Sequence, residues 1–159
     1  MALEPQTHDL VCGIPFFRRH SDIALFQKLG FACVYAVGPL AGRPMRIGWT
    51  SSPSGRFSNL QSSHWKEMKI HDIVWTPGKP LAQRLDEEVN RLLTQAGRHL
   101  RGDWFDVTPE MIVPTLQVAT DNLKIPTFTH EAMLQRFEEA KEMRASHVLK
   151  GFGSLIAAA

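Results

Sequence analysis

Apolar and polar positions fall into blocks along this chain, and each block has its own period. Residues 31–37, Phe-Ala-Cys-Val-Tyr-Ala-Val, are an apolar run rich in β-formers and predict a buried strand. The Gly/Pro-rich stretch 38–44 predicts a turn, and 45–50 a second strand, so the pair reads as a hairpin. A third strand is expected over 68–76, ended by Pro77-Gly78-Lys79-Pro80. Leu85, Val89, Leu92 and Ala96 recur at helical spacing, which predicts an amphipathic helix over 81–96 with Gly97 as its stop.

Capping residues place the remaining helices. Ser21 is expected to cap a short helix over 22–29 that stops at Gly30. Ser52-Pro53 supplies an N-cap and a first-turn proline for a helix running to about 61, and Thr108-Pro109-Glu110 repeats that opening. Thr129 begins a last helix near 130–150, with Met133, Phe137, Ala140 and Val148 on one stripe. The order over 31–107 is β-β-α-β-α, and the chain as a whole is α+β. The expectation is a small antiparallel three-stranded sheet flanked by helices over 31–107, with an N-terminal extension over 1–30 and a helical C-terminal extension over 108–159.

Composition adds bounds. With 159 residues, 43% hydrophobic and 21% charged, the chain suits one soluble domain with additions. Cys12 and Cys33 form no C-x-x-C pair, as expected of two reduced thiols in a cytoplasmic protein. The start, Met1 to Gln6, has neither the basic nor the apolar region of a secretion signal. No apolar run reaches the roughly 20 residues of a membrane span, so no membrane partner is expected. The seven histidines lack metal-ligand spacing, which argues against zinc. Phosphate-binding, nucleophile-elbow and dinucleotide motifs do not occur.

The net charge of +2 conceals an asymmetry. Over 43–69, Arg43, Arg46, Arg56, Lys66 and Lys69 face only Glu67. Positive charge grouped this way suits a phosphate-backbone partner, and a solvated surface strip is the plainer reading. His64 and Trp65 lie in the same stretch; a groove contact by stacking on a base competes there with simple packing of the loop.

Five short elements then stand in order. Cys33-Val34-Tyr35 lies on the first strand and Arg46-Ile47-Gly48 on the second. Gly55-Arg56-Phe57 follows on the next helix, the 81–96 helix carries three carboxylates, and Gly102-Asp103-Trp104-Phe105 closes the series. Together they resemble the GIY-YIG nuclease family, in particular its compact bacterial and phage subgroup with a closing G-E-W-F, over about half of the chain. The resemblance implies divalent-metal-dependent hydrolysis of a DNA phosphodiester. Tyr35, the only tyrosine, would position or deprotonate the attacking water. Arg56 would stabilise charge on the phosphate oxygens, and Arg46, where a basic residue often stands in the subgroup, would contact phosphate. Arg43, His64, Trp65, Lys66 and Lys69 are the accompanying candidates for DNA contact.

One carboxylate would hold the cation, Mg²⁺ or Mn²⁺. In the family it precedes an inward apolar residue by three positions, and counting back from Val89 gives Asp86. At about 100° per residue Asp86 lies roughly 75° from the centre of the buried face, while Glu88, the alternative ligand, flanks the other edge. Aspartate stands where the family has glutamate, and Asn90 where the subgroup often has histidine. The alternative expectation is therefore a weakened or inactive module that binds DNA, or one that serves a larger assembly through a protein partner at its terminal extensions.

Overall fold

The structure, a computed structural model, describes residues 8–17 and 19–158, with the backbone alone for 8–11 and 150–158. Its elements are β1 (His8–Val11), β2 (Ile14–Phe17), α1 (His20–Leu29), β3 (Ala32–Pro39), β4 (Met45–Thr50), α2 (Pro53–Ser62), β5 (Met68–Thr76), α3 (Lys79–Gln95), β6 (His99–Arg101), β7 (Trp104–Phe105), α4 (Pro109–Leu123) and α5 (His130–Ala158). The class is α+β, as expected. The main sheet has five strands rather than three, in the order β5-β3-β4-β7-β6, all antiparallel.

The two added strands form a hairpin of three and two residues turned at Gly102, whose φ is +56°. β6 is exposed throughout and, at three residues, is too short to show a period, so its pairing arises from tertiary contact rather than local pattern. A second hairpin, β1-β2, turns at Cys12-Gly13, both with positive φ. Two such residues match the twist of flanking strands, but cysteine is a poor signal for a left-handed position.

β3 lies at the centre and is buried along nearly its whole length, so each of its faces needs its own cover. Ala32, Val34 and Ala36 join Met45 and Ile47 of β4 under Leu85, Val89 and Leu93 of α3 and Ile112, Leu116 and Ala119 of α4. The opposite face carries Cys33, Tyr35 and Val37. It is covered by Phe16 and Phe17 of β2, Phe26 of α1, Phe57 and Leu60 of α2, and Met133 and Phe137 of α5. The flanking segments thus close the second half of the core.

Local details depart from expectation in two helices. α1 starts two residues early, with Arg19 at its N-cap, so Ser21 lies inside the helix; it ends at Gly30 in the left-handed region as expected. On α5, Met133 and Phe137 are buried but Val148 is 56% exposed, because the helix runs on beyond the body it packs against. Thr129 does cap α5, its hydroxyl accepting from the Ala132 amide at 3.1 Å. The apolar side chains of 151–159 and the start at 1–6 lie outside the described residues. Among the described residues no helix is long and apolar enough to cross a membrane.

His130 ties three segments together. Its Nδ1 accepts from the buried Trp75 Nε1 at 3.1 Å, and its Nε2 therefore carries the hydrogen that bonds the Pro15 carbonyl at 2.7 Å. His130→Ala should leave the Trp75 N–H and the Pro15 carbonyl without those bonds, at about 1–3 kcal/mol for each group that stays dry. Urea unfolding should show a lower midpoint with an unchanged slope; an unchanged midpoint would refute this role.

Candidate functional site

Strand register sets the first part of the site. Tyr35 pairs with Gly48 and Val37 with Arg46, so Tyr35, Gly48 and Arg46 share one face of the sheet. The Tyr35 ring lies edge-on to Phe57 of α2, with centroids 5.0 Å apart, and its hydroxyl lies over Gly48. A Cβ on Gly48 would meet that hydroxyl at 2.7 Å and the adjoining ring carbon at 3.0 Å. Gly48 is therefore small because the tyrosine occupies the space a side chain would need.

Along β4, β7 pairs only with Met45 and Arg46, and the Ile47 amide donates to the Asp103 carbonyl at 2.9 Å. Beyond that bond no described strand continues along β4, which leaves its edge open beside Gly48. Asp86 approaches from α3 on the other side of the sheet. Arg56 stands on the exposed side of α2 in its first turn, with no ion pair among the described residues.

The charges of Arg56, Arg46 and Asp86 all reach the Tyr35 phenol. Burial pushes the Tyr35 phenol up to about 12; Arg56 and then Arg46 oppose that rise, while Cys33 and Asp86 add to it. At neutral pH the phenol is protonated, able to donate one hydrogen bond and accept another. Burial also pushes Asp86 up to about 7, helped by the charge of Asp103 and opposed by a hydrogen bond from Asn90. Asn90 Nδ2 donates to Asp86 Oδ1 at 3.1 Å and to the Asp86 carbonyl at 2.7 Å. Asp86 Oδ2 accepts no hydrogen bond from the described residues.

Arg46 sits between Met45 and Ile47, and strand alternation turns it from their core to the rim of the Tyr35 layer. Its Nη2 lies 3.7 Å from Asp103 Oδ2, and its buried Nε finds no acceptor among the described residues. Asp103 is the contributor that residue patterns left without a role: its place in the closing motif was visible, its position between Asp86 and Arg46 was not.

Other candidates lie elsewhere. Glu88 is engaged by Arg91, whose hydrogen bond holds its carboxyl below the usual range, and by Asn122. Arg43 forms a two-pronged pair with Asp106, its Nη2 donating to Oδ2 at 2.8 Å. The His64 ring rests against Trp104, with centroids 5.2 Å apart. Trp65 is 89% exposed, and Lys66 Nζ stands 5.0 Å above its ring, so the loop does not pack it away. Lys69 is exposed on the edge strand β5. Cys12 and Cys33 are both free thiols, and burial raises the pKa of each.

No family model matches the chain, and neither a curated protein nor a solved structure matches it. The functional reading therefore rests on the residues and their geometry.

Two outcomes test this geometry. Gly48→Ala should destabilise the protein, and the same change in a Tyr35→Phe background should cost less, because the nearest colliding atom is gone. A double-mutant cycle should yield a coupling of about 0.5–3 kcal/mol; additivity would show that the hydroxyl does not occupy that space. The raised Asp86 pKa means that folding is penalised where the unfolded chain has lost this proton and the folded chain must follow. That cost is absent below the unfolded value of 3.8, grows from there towards pH 7 and is full above it. Asp86→Asn in EDTA should raise Tm at pH 8 and leave it nearly unchanged at about pH 3; a gain independent of pH would contradict the burial of this carboxylate.

Proposed function

We propose that the protein is a divalent-metal-dependent DNA endonuclease of GIY-YIG type. The observation that carries this reading is the seating of the Tyr35 hydroxyl over Gly48, within the electrostatic field of Arg56, Arg46 and Asp86. Residues from several of the separated sequence elements of the resemblance act on that one phenol. The exposed Arg56, free of an ion pair among the described residues, and the buried Arg46 Nε without an acceptor are donors suited to phosphate oxygens.

The donor set fits a hard cation that keeps most of its water. Asp86 has one carboxylate oxygen on Asn90 and one unengaged, and no group of three or more potential ligands is assembled among the described residues. Mg²⁺ and Mn²⁺ accept one carboxylate alongside water and substrate oxygens. Such a cation would supply Lewis-acid stabilisation of the phosphate and a more acidic water. Asp86 would hold it, and aspartate's shorter reach matches a bridging water as readily as a direct bond. Tyr35, protonated at neutral pH, would orient the attacking water by hydrogen bonding rather than act as a free base. Arg56 and Arg46 would meet the charge that builds on the phosphate oxygens.

Supercoiled plasmid incubated with Mg²⁺ or Mn²⁺ should be nicked or linearised. Arg56→Ala should lower the rate about 10²–10³-fold, the usual loss of one transition-state donor. Asp86→Ala should abolish metal-dependent cleavage while Glu88→Ala retains it. Cleavage equal to that of Arg56→Ala would sink the proposal, and loss only in Glu88→Ala would reassign the carboxylate.

The second reading is a non-catalytic module of the same fold. It draws on Asp86 and Asn90, which stand where the pattern of the resemblance has glutamate and often histidine. Salt-sensitive DNA binding without cleavage would favour its DNA-binding form. Absence of DNA binding at low salt, with stable co-purification of a protein partner, would favour a place in an assembly.

A further inference from the structure

Between α2 and β5 the chain passes through residues 63–67, which carry Trp65. Its indole is 89% exposed, more than any other large apolar side chain among the described residues. One exposed apolar group needs no explanation by itself. Here, however, the loop that bears it is held in place. Gln61 Nε2 donates to the Lys66 carbonyl at 3.0 Å, and Gln61 Oε1 accepts from the Met68 amide at 2.7 Å. The His64 amide donates to the Gln61 carbonyl at 3.1 Å. An indole presented on a fixed loop binds with less of the ordering cost that a loose one would carry.

A cation stands with it. Lys66 Nζ lies 5.0 Å over the Trp65 ring and forms no ion pair among the described residues. One face of the indole thus carries an ammonium while the other meets water. A π-face beside such a cation is complementary to a nucleobase beside its phosphate, whereas an apolar peptide side chain would leave the ammonium unused. The loop is also tied to the candidate catalytic groups from two directions. His64 rests against Trp104, which stands opposite Arg46 in the register of β4 and β7. From Arg56 in its first turn, α2 runs on to Ser62 at the start of the loop, about 9 Å along the axis. A stacked strand rises about 3.4 Å per nucleotide, so that span covers roughly two to three nucleotides.

We infer that Trp65 and Lys66 form a platform on which an unpaired base of the DNA strand stacks, roughly two to three nucleotides from the phosphate that Arg56 meets. The inference rests on the nuclease reading and narrows its substrate to DNA with single-stranded character beside the cleaved bond. In a duplex each base is already stacked on its neighbours and must be drawn out before an indole can meet its face; an unpaired base avoids most of that cost. Every base has a π-face, so the platform selects DNA structure rather than sequence.

Fluorescence anisotropy of the full chain in EDTA tests this with two labelled DNAs, a fully paired duplex and the same duplex interrupted by a short single-stranded gap. The gapped duplex should bind about 5–150-fold more tightly, the worth of one stacked base. Trp65→Ala should remove that preference with no change in thermal melting, because the side chain packs against so little. Trp65→Phe, which keeps a ring, should retain most of it. Gapped DNA should quench the intrinsic fluorescence of the unaltered protein, and Trp65→Ala should lose that quenching. Equal affinity of the unaltered protein for both DNAs overturns the inference. So does a preference for the gap that survives in Trp65→Ala. A protein that cuts plasmid yet binds both DNAs equally loses the platform alone. One that prefers the gap through Trp65 yet never cuts keeps the platform and loses the nuclease reading, and one that binds neither DNA loses both.

Discussion

The arrangement turns on a contact between a phenol and a missing side chain. Tyr35 lies on a strand whose two faces are both covered, so its ring has one direction in which the hydroxyl can leave the core. That direction passes over Gly48, where even a methyl carbon would stand 2.7 Å from the oxygen. The consequences spread from there. β4 must offer a bare backbone at one register position, its neighbour β7 stops short of that position, and the charge of Asp86 reaches the phenol from α3. The site is built by what is absent from the sheet edge as much as by what lies on it.

The flanks matter to this geometry through the aromatic layer. Phe57 braces Tyr35 from α2, and Phe57 is itself held against Phe16. Phe17 packs on Phe137 with centroids 4.1 Å apart, which links the N-terminal hairpin to α5 beneath the same face. Without these segments the Tyr35 face of the sheet would lie open to water, and a buried phenol would become an exposed one with an ordinary pKa. The extensions are thus part of what keeps Tyr35 buried and fixed.

Much of this was legible in the sequence, and what was not has identifiable reasons. The second and third expected strands match β4 and β5 end to end, because each carries β-formers bounded by Gly/Pro punctuation. Asp86 and Glu88, both singled out on the 81–96 helix, have different surroundings: the charge of Asp86 reaches the phenol, whereas Glu88 is held by Arg91. The two short hairpins were illegible for opposite reasons. β6 and β7 lack a pattern long enough to show a period, and β1-β2 hides its turn behind a cysteine in a glycine-like conformation. Pair partners such as Asp103 with Arg46 are long-range outcomes that local spacing does not encode.

Charge gives the sharpest example of that limit. Five basic residues against one acid over 43–69 look like a uniform phosphate-binding strip. In the fold Arg43 is engaged by Asp106, and Arg46 faces Asp103, both acids from a segment more than 50 positions further along. What remains for a polyanion is Arg56 at the candidate catalytic edge, with Lys66 and Lys69 exposed beyond α2. The pairing of Arg46 differs from that of Arg43 in kind: at 3.7 Å and with its buried Nε unmatched, it has donor capacity that a two-pronged pair has already spent. A phosphate approaching the open edge would therefore meet two available guanidinium groups flanking Tyr35, while Asp103 keeps a negative field beside Asp86. Asp103 therefore acts on both sides of the site at once, drawing on Arg46 while its charge adds to the field at Asp86.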